Sequence, residues 1–198
     1  MRFFNSKKAP IDDWSALSTF LTSEKLLQSK GEVSPARRAG VLFSDDKNNN
    51  FLLNFSNEID SILYDGDGAT RTLYEIKKEA DGLVWVILED GNFNDLVSSI
   101  YTIGNAISSN GGSENLIAAI FEIYLSIDID DNSTRRGLRS YCIYRYDRKS
   151  FYPFIPTGDN EGERDKTAES VLGRDLSDSG LLIEKDFSQW MGLWGIPF

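Results

Sequence analysis

Apolar residues recur at intervals of three and four along several stretches of the chain, which predicts amphipathic helices. The clearest stripe runs over residues 93–109 and opens after an asparagine, a residue type that caps helices. Similar stripes predict helices over residues 11–30 and 51–63. Weaker patterns predict a helix over residues 161–173 and a short one over residues 186–191.

Stretches of strand length lie between these helices, some of them apolar throughout and one, residues 70–77, loosely alternating. They cover residues 39–43, 70–77, 83–88, 116–127 and 138–146. Short turn sequences such as Asp81-Gly82 join neighbouring runs as hairpins, and hairpins pair strands antiparallel. The chain is therefore predicted to be α+β, with a mostly antiparallel sheet and helices on one face. Because residues 83–88 are apolar throughout, we expect this strand to be covered on both faces or to be central in its sheet.

The C-terminal part of the sequence is unusually rich in aromatic residues. Residues 151–158 contain three aromatic residues and two prolines, and residues 188–198 contain two tryptophans. Prolines favour an extended chain outside regular ladders. We therefore predict a single domain over residues 1–198, in which residues 150–198 form an extended and helical arm packed on the rest.

Two hypotheses explain this aromatic arm. In the first, its side chains fold back over a bare face of the sheet. In the second, they line a surface for a protein partner, because Trp, Tyr and Met concentrate at interface hot spots. The first is favoured since so apolar a segment has to be buried. The candidate partner-binding residues are Tyr152, Phe154, Trp190, Trp194 and Arg145, and we expect Tyr152 or Trp190 to be the exposed aromatic.

Composition weighs against several classes of function. The 31 acidic and 21 basic residues give a net charge of -10, which disfavours nucleic-acid binding. There is no histidine, so the commonest general base and zinc ligand is missing. The single cysteine, Cys142, lies in the middle of a predicted strand and is expected to be a buried thiol. No apolar run approaches the roughly 20 residues of a membrane span.

One segment has part of the pattern of a calcium loop. Asp128, Asp130 and Asn132 have its first three spacings, but Ser133 and Arg139 replace the required glycine and glutamate. We therefore predict no metal site, no cofactor and no catalytic residue.

The most distinctive stretches of the sequence are residues 82–90, 93–97, 151–158, Arg164 and residues 190–197. Together they resemble the PspAB family of PspA-associated proteins, from the helix at residues 51–63 onward. The chain departs from the family at Met191-Gly192, where an aromatic residue and a proline are expected. PspAB proteins are small soluble proteins of bacteria and archaea, encoded near genes for the phage-shock protein PspA or the membrane metalloprotease HtpX. The family has no established catalytic residues, so the resemblance transfers none.

The resemblance implies a non-enzymatic cytoplasmic accessory protein of the phage-shock and envelope-stress response. Such a protein would bind PspA, HtpX or a related component, and would reach the membrane only through that partner. The order of elements also resembles YbjN and type III secretion chaperones, which bind proteins without chemistry.

Two rival hypotheses stay open. In one, the chain binds a small ligand or is an enzyme of unknown substrate, using Asp128 and Asp130 with Arg139 and Arg145. In the other, it is a structural subunit of a homo-oligomer. A deep polar pocket would favour the ligand or enzyme hypothesis, whereas an aromatic patch or groove would favour a protein-binding module.

Overall fold

The computed structural model describes residues 12–30, 33–64, 71–128 and 135–198. Within these residues it contains four α-helices, which are α1 (Asp13–Lys30), α2 (Asn50–Tyr64), α3 (Phe93–Ile107) and α4 (Lys166–Asp178). It also contains six strands, which are β1 (Val33–Ser44), β2 (Leu73–Lys78), β3 (Leu83–Glu89), β4 (Leu116–Asp128), β5 (Arg135–Arg145) and β6 (Ser150–Phe154).

The six strands form one antiparallel sheet in the order β2-β3-β1-β4-β5-β6. Strand β1 lies in the middle, where Val41 faces Val86 of β3 and Ala119 of β4. The predicted α+β class is confirmed, and so is the prediction that hairpins rather than crossovers connect most neighbouring strands.

All four helices pack on one face of the sheet. Alternate strand residues point toward them, and together they form the larger apolar core. Helix α3 is the centre of this layer because Leu96, Ile100 and Ile107 are fully buried, as their spacing predicts. Its start is fixed by Asn92, whose side chain accepts a hydrogen bond from the Asn94 main-chain N–H at 3.0 Å.

The opposite face of the sheet is covered by the C-terminal part of the chain. Its apolar residues form a second core, which includes Leu42, Trp85 and Ile120. Trp190 and Phe198 close this core from outside. Strand β3 is therefore buried on both faces, and the hypothesis that the aromatic arm folds back over a bare sheet face is confirmed.

Three predictions about the C-terminal part need correction. Residues 150–154 do not stay outside the sheet but form its last strand, where Pro153 pairs with Cys142, because an edge strand tolerates proline. Helix α4 begins five residues later than predicted, because Gly162 turns the chain at φ 92° and Asp165 caps the helix. The short helix expected at residues 186–191 is a single 3₁₀ turn, Phe187–Gln189.

Candidate functional site

The residues predicted to bind a partner all lie in one layer. From here on, 'the arm' means residues 183–198, the last part of the arm predicted over residues 150–198. It begins beside β6, where the Phe151 N–H donates to Leu182 O at 2.7 Å and the Glu184 N–H donates to Phe151 O at 2.8 Å. The chain then makes the 3₁₀ turn and crosses the sheet to Phe198. The arm has no repeating hydrogen-bond pattern, so individual side chains hold it in place.

Trp190 is the first of these side chains and is buried. Its ring stacks on Tyr152 with centroids 6.3 Å apart, and its indole Nε1 donates to Glu184 O at 3.0 Å. The far edge of the ring fits against α4 at Gly173, where a Cβ atom would lie 2.5 Å from Trp190 Cη2. The Trp190 ring can therefore occupy this position only because residue 173 is a glycine and has no side chain.

A buried ion pair holds the main chain at the same point. Arg164 and Glu169 are 7% and 2% exposed, and the Arg164 Nη2 lies 2.7 Å from Glu169 Oε2. The Nη1 of Arg164 donates to Trp190 O at 2.9 Å, and Glu169 Oε1 accepts from the Ile155 N–H at 2.9 Å. The ion pair thereby links α4, the end of β6 and the arm.

The rest of the arm is held by two further aromatic residues. Trp194 packs edge-on against Phe154 at 5.5 Å and donates to Glu163 O at 3.3 Å. Phe198 lies over Gly40, where a Cβ atom would be 2.8 Å from its ring, and its main-chain oxygen accepts from the Tyr141 hydroxyl at 2.9 Å. Both rings have fixed places on the sheet.

Arg145 connects β5 to the arm. Its Nε donates to Asp147 Oδ1 at 2.9 Å, and its Nη2 also contacts that carboxylate. Its Nη1 donates to Gln189 O at 3.1 Å. The structure therefore brings together all five predicted residues, but it buries Tyr152, Phe154 and Trp190 within the chain. The prediction that Tyr152 or Trp190 is exposed is wrong, because each is covered by the other and by the arm.

Other residues of the arm reach solvent. Phe187 is 60% exposed and Met191 is 58% exposed, and the Phe187 ring lies 4.5 Å from that of Trp190. Phe187 and the exposed Val171 of α4 line a surface groove of about 370 Å³. Sequence reasoning missed Phe187. Its signal is a large apolar side chain inside the polar run from Lys185 to Gln189, where no helical or strand stripe needs it.

Charged side chains surround this groove. Arg174, Glu184 and Lys185 line it, and the Arg148 guanidinium donates to Glu184 Oε2 at 2.9 Å. That hydrogen bond lowers the pKa of Glu184 to about 2, so its carboxylate is ionised at neutral pH. The groove therefore combines an apolar floor with ionised groups at its edge.

Two titratable groups outside the groove, Glu122 and Cys142, are buried. Glu122 is buried on the arm side of the sheet, where it binds Arg38 through two hydrogen bonds of 3.0 and 3.1 Å and also contacts Arg139. Cys142 is fully buried on the helix side, as predicted, and burial raises the pKa of its thiol. Both groups are kept from solvent by their surroundings.

The comparison with protein-family models gives one decisive match. The model of PspAB, described as PspA associated protein B, matches residues 2–198. The chain belongs to the PspAB family. Curated proteins and solved structures yield no match. The resemblance to the PspAB family is confirmed, while the topological likeness to YbjN and secretion chaperones stays a prediction.

In this PspAB member, the rival ligand or enzyme site falls partly outside the described residues. Asp130 and the side chain of Asp128 lie there, as does most of the calcium-like loop. Across the described residues, no three His, Cys, Asp or Glu side chains are grouped so that they could hold a metal ion. None of the described helices has the length and apolar character needed to cross a membrane.

Proposed function

We propose that this chain is a non-catalytic accessory protein that binds PspA, HtpX or a related envelope-stress component through the surface around Phe187 and Met191. Membership of the PspAB family supports an association with PspA. The observation that carries the choice of surface is the exposure of these two large apolar side chains on an arm whose Trp190 and Phe198 are buried.

Phe187 and Met191 suit a binding role because their backbone is already held in place. Both lie next to Trp190, whose ring is locked against α4 and whose carbonyl is bound by Arg164. A contact presented on a fixed backbone loses little conformational entropy on binding. Aromatic residues and methionine are enriched in interface cores, and tightly packed aromatic anchors dominate binding energy.

Charge supports a partner that carries carboxylates at its contact surface. Arg174 and Lys185 are exposed at the rim of the groove, where the lining carboxylate of Glu184 is already bound by Arg148, on a protein whose net charge is -10. A local basic rim on an acidic protein orients a partner, chiefly through the association rate. The same proposal places the protein in the cytoplasm, where it reaches the membrane surface only through its partner.

The non-catalytic part of the proposal is supported by what the polar groups of the arm layer do. Glu169 is paired with Arg164, and Asp147 is paired with Arg145. Each arginine also binds an arm carbonyl. These groups stabilise the arm, and their carboxylates already have fixed partners.

The test is the affinity of the purified protein for purified PspA, and separately for detergent-solubilised HtpX, by isothermal titration calorimetry. Phe187→Ala and Met191→Ala should each weaken binding of the true partner, and an interface anchor of this type costs about 2 kcal/mol, or roughly thirtyfold. The melting temperature should stay close to that of the unchanged protein, because both side chains are mostly in solvent.

Leu73→Ala is the matched control, since Leu73 is 66% exposed on the edge strand β2, away from the arm. It should leave the affinity unchanged. Equal weakening by all three substitutions would contradict the proposed surface, and so would full affinity in both arm variants. Light scattering on the same samples shows whether the surface instead joins two copies of the chain.

A further inference from the structure

A second hollow lies on the other side of the arm. Its volume is about 290 Å³, close to the lower limit of small-molecule sites in proteins. Its walls come from β1, from the beginning of β4 and from the arm. The apolar lining residues are Leu42, Leu116, Ile117, Ala118, Met191 and Leu193.

The polar side of this cavity contains one hydroxyl group without a hydrogen-bond partner among the described residues. Tyr152 lines the cavity, is 3% exposed, and has no hydrogen bond from its hydroxyl to any described residue. This hydroxyl is not fully enclosed, so a bound group that accepts its hydrogen bond inside the cavity would replace contact with solvent by a fixed partner.

The charges beside that hydroxyl are balanced. Arg145 and Asp147 line the cavity as an ion pair, and the third contact of Arg145 is the carbonyl of Gln189. Because Arg145 and Asp147 already neutralise each other, the cavity offers neither a carboxylate nor an ammonium group a net attraction to offset the loss of its hydration. The site therefore suits an uncharged ligand.

We infer that this cavity binds a small uncharged molecule with an aliphatic body and one carbonyl oxygen, of the amide or ester class. The aliphatic body contacts the six apolar lining residues, and the carbonyl oxygen accepts a hydrogen bond from the Tyr152 hydroxyl. This inference does not rest on the proposed function: Met191 borders both the cavity and the proposed partner surface, but Phe187 and its groove do not line the cavity.

The test uses three probes that share one aliphatic chain, hexanamide, hexanoate and hexylammonium. Each is titrated into the ¹⁵N-labelled full chain, and the amide signals of Ile117, Gly192 and Leu193 are followed by NMR. Hexanamide should give saturable shifts at these positions, and the two charged probes should bind more weakly. Absence of saturable shifts with hexanamide would overturn the inference, and so would hexanoate or hexylammonium binding as tightly.

Two variants make the role of Tyr152 testable. Tyr152→Phe should weaken hexanamide binding about three- to tenfold, the size of one hydrogen bond, without lowering the melting temperature, because the hydroxyl has no hydrogen-bond partner among the described residues. Tyr124→Phe, on a tyrosine elsewhere on β4, should have no effect on binding. Unchanged affinity in Tyr152→Phe would contradict the proposed hydrogen bond and overturn the inference.

Discussion

The two faces of the sheet are covered in different ways. On one face, four helices bury regular apolar stripes, so that Ile100 and its neighbours in α3 share the core with Phe121 of β4. On the other face, the arm has no repeating pattern of apolar residues, and each aromatic side chain packs against its own set of neighbours. Trp190 lies on Gly173, and Phe198 lies on Gly40. A helix can therefore lose one contact and keep its backbone, whereas the arm depends on a few specific contacts.

Polar groups also differ between the two layers. The arm carbonyls are bound by arginine side chains, as Trp190 O is by Arg164 and Gln189 O is by Arg145. The helices satisfy their own main-chain groups instead. The stability of the arm layer should therefore respond strongly to changes in buried charge, and that of the helix layer should respond to changes in apolar volume.

The largest effect should come from the buried ion pair under the arm. Glu169→Ala leaves the Arg164 guanidinium buried without its carboxylate and leaves the Ile155 N–H without its acceptor. Breaking a buried pair in this way costs about 3–5 kcal/mol. Urea unfolding monitored by tryptophan fluorescence measures the free energy of unfolding.

An exposed ion pair on the same helix gives the control. Asp175→Ala removes the partner of Arg174 at the surface and should change the free energy of unfolding by less than about 1 kcal/mol. The double change Arg164→Met with Glu169→Leu should recover part of the loss, since it removes both buried charges. A Glu169→Ala variant as stable as Asp175→Ala would contradict the structural role of the pair.

A similar or slightly smaller effect is expected in the helix layer. Ile100→Ala removes a fully buried side chain from α3 and should cost about 2–5 kcal/mol, through lost burial and the cavity left behind. No charge is involved, so its loss should be the same in low and high salt. A cost below 1 kcal/mol would show that α3 is not the centre of the core.

A side chain added at Gly40, against which the Phe198 ring packs, should lower the free energy of unfolding by an intermediate amount. In Gly40→Ala the new Cβ would lie 2.8 Å from Phe198 Cε1 and 3.3 Å from Val86 O, so the ring has to move. Overpacking of this kind costs about 1–3 kcal/mol. Gly91→Ala is the control, because a Cβ there meets nothing within 4 Å. Equal stability of the two variants would mean that Phe198 does not pack against Gly40.

The smallest expected effect is a change in how the melting temperature depends on pH in the acidic range. Because the pKa of Glu184 in the folded protein, about 2, is below its ordinary value of 4.5, ionised Glu184 stabilises the fold above pH 4.5. That contribution is lost as the pH falls from 4.5 toward 2. In Glu184→Gln and in Arg148→Ala the melting temperature should therefore fall less steeply over this interval than in the unchanged protein. Identical pH profiles would contradict the pairing of these two residues.

The sequence predicts the helix layer well for a physical reason. Helices and hairpins are local, so the stripe that contains Ile100 and the turn at Asp81-Gly82 are visible in single stretches of sequence. The aromatic content also predicts that the apolar side chains of the arm are buried against the rest of the chain. Its individual contacts are not visible, because Trp190 meets Gly173, and Phe198 meets Gly40, only after the chain has folded.

The same reason explains the outcome for the candidate site. Tyr152 and Trp190 have the composition of an interface, yet they stack on each other inside the chain. Phe187 is exposed because the 3₁₀ turn places it on the outer side of Trp190. Composition thus identifies the correct segment, whereas which aromatic is left in solvent depends on long-range packing.

Both layers and the sheet between them should form one cooperative unit, in which Trp190 is part of the structure and not a mobile contact. Native-state hydrogen exchange tests it most directly, by comparing the Trp190 indole N–H, which donates to Glu184 O, with the main-chain N–H groups of α3. We predict that both exchange with the free energy of global unfolding. Rapid exchange of the Trp190 indole while α3 stays protected would contradict the claim and show that the arm opens by itself.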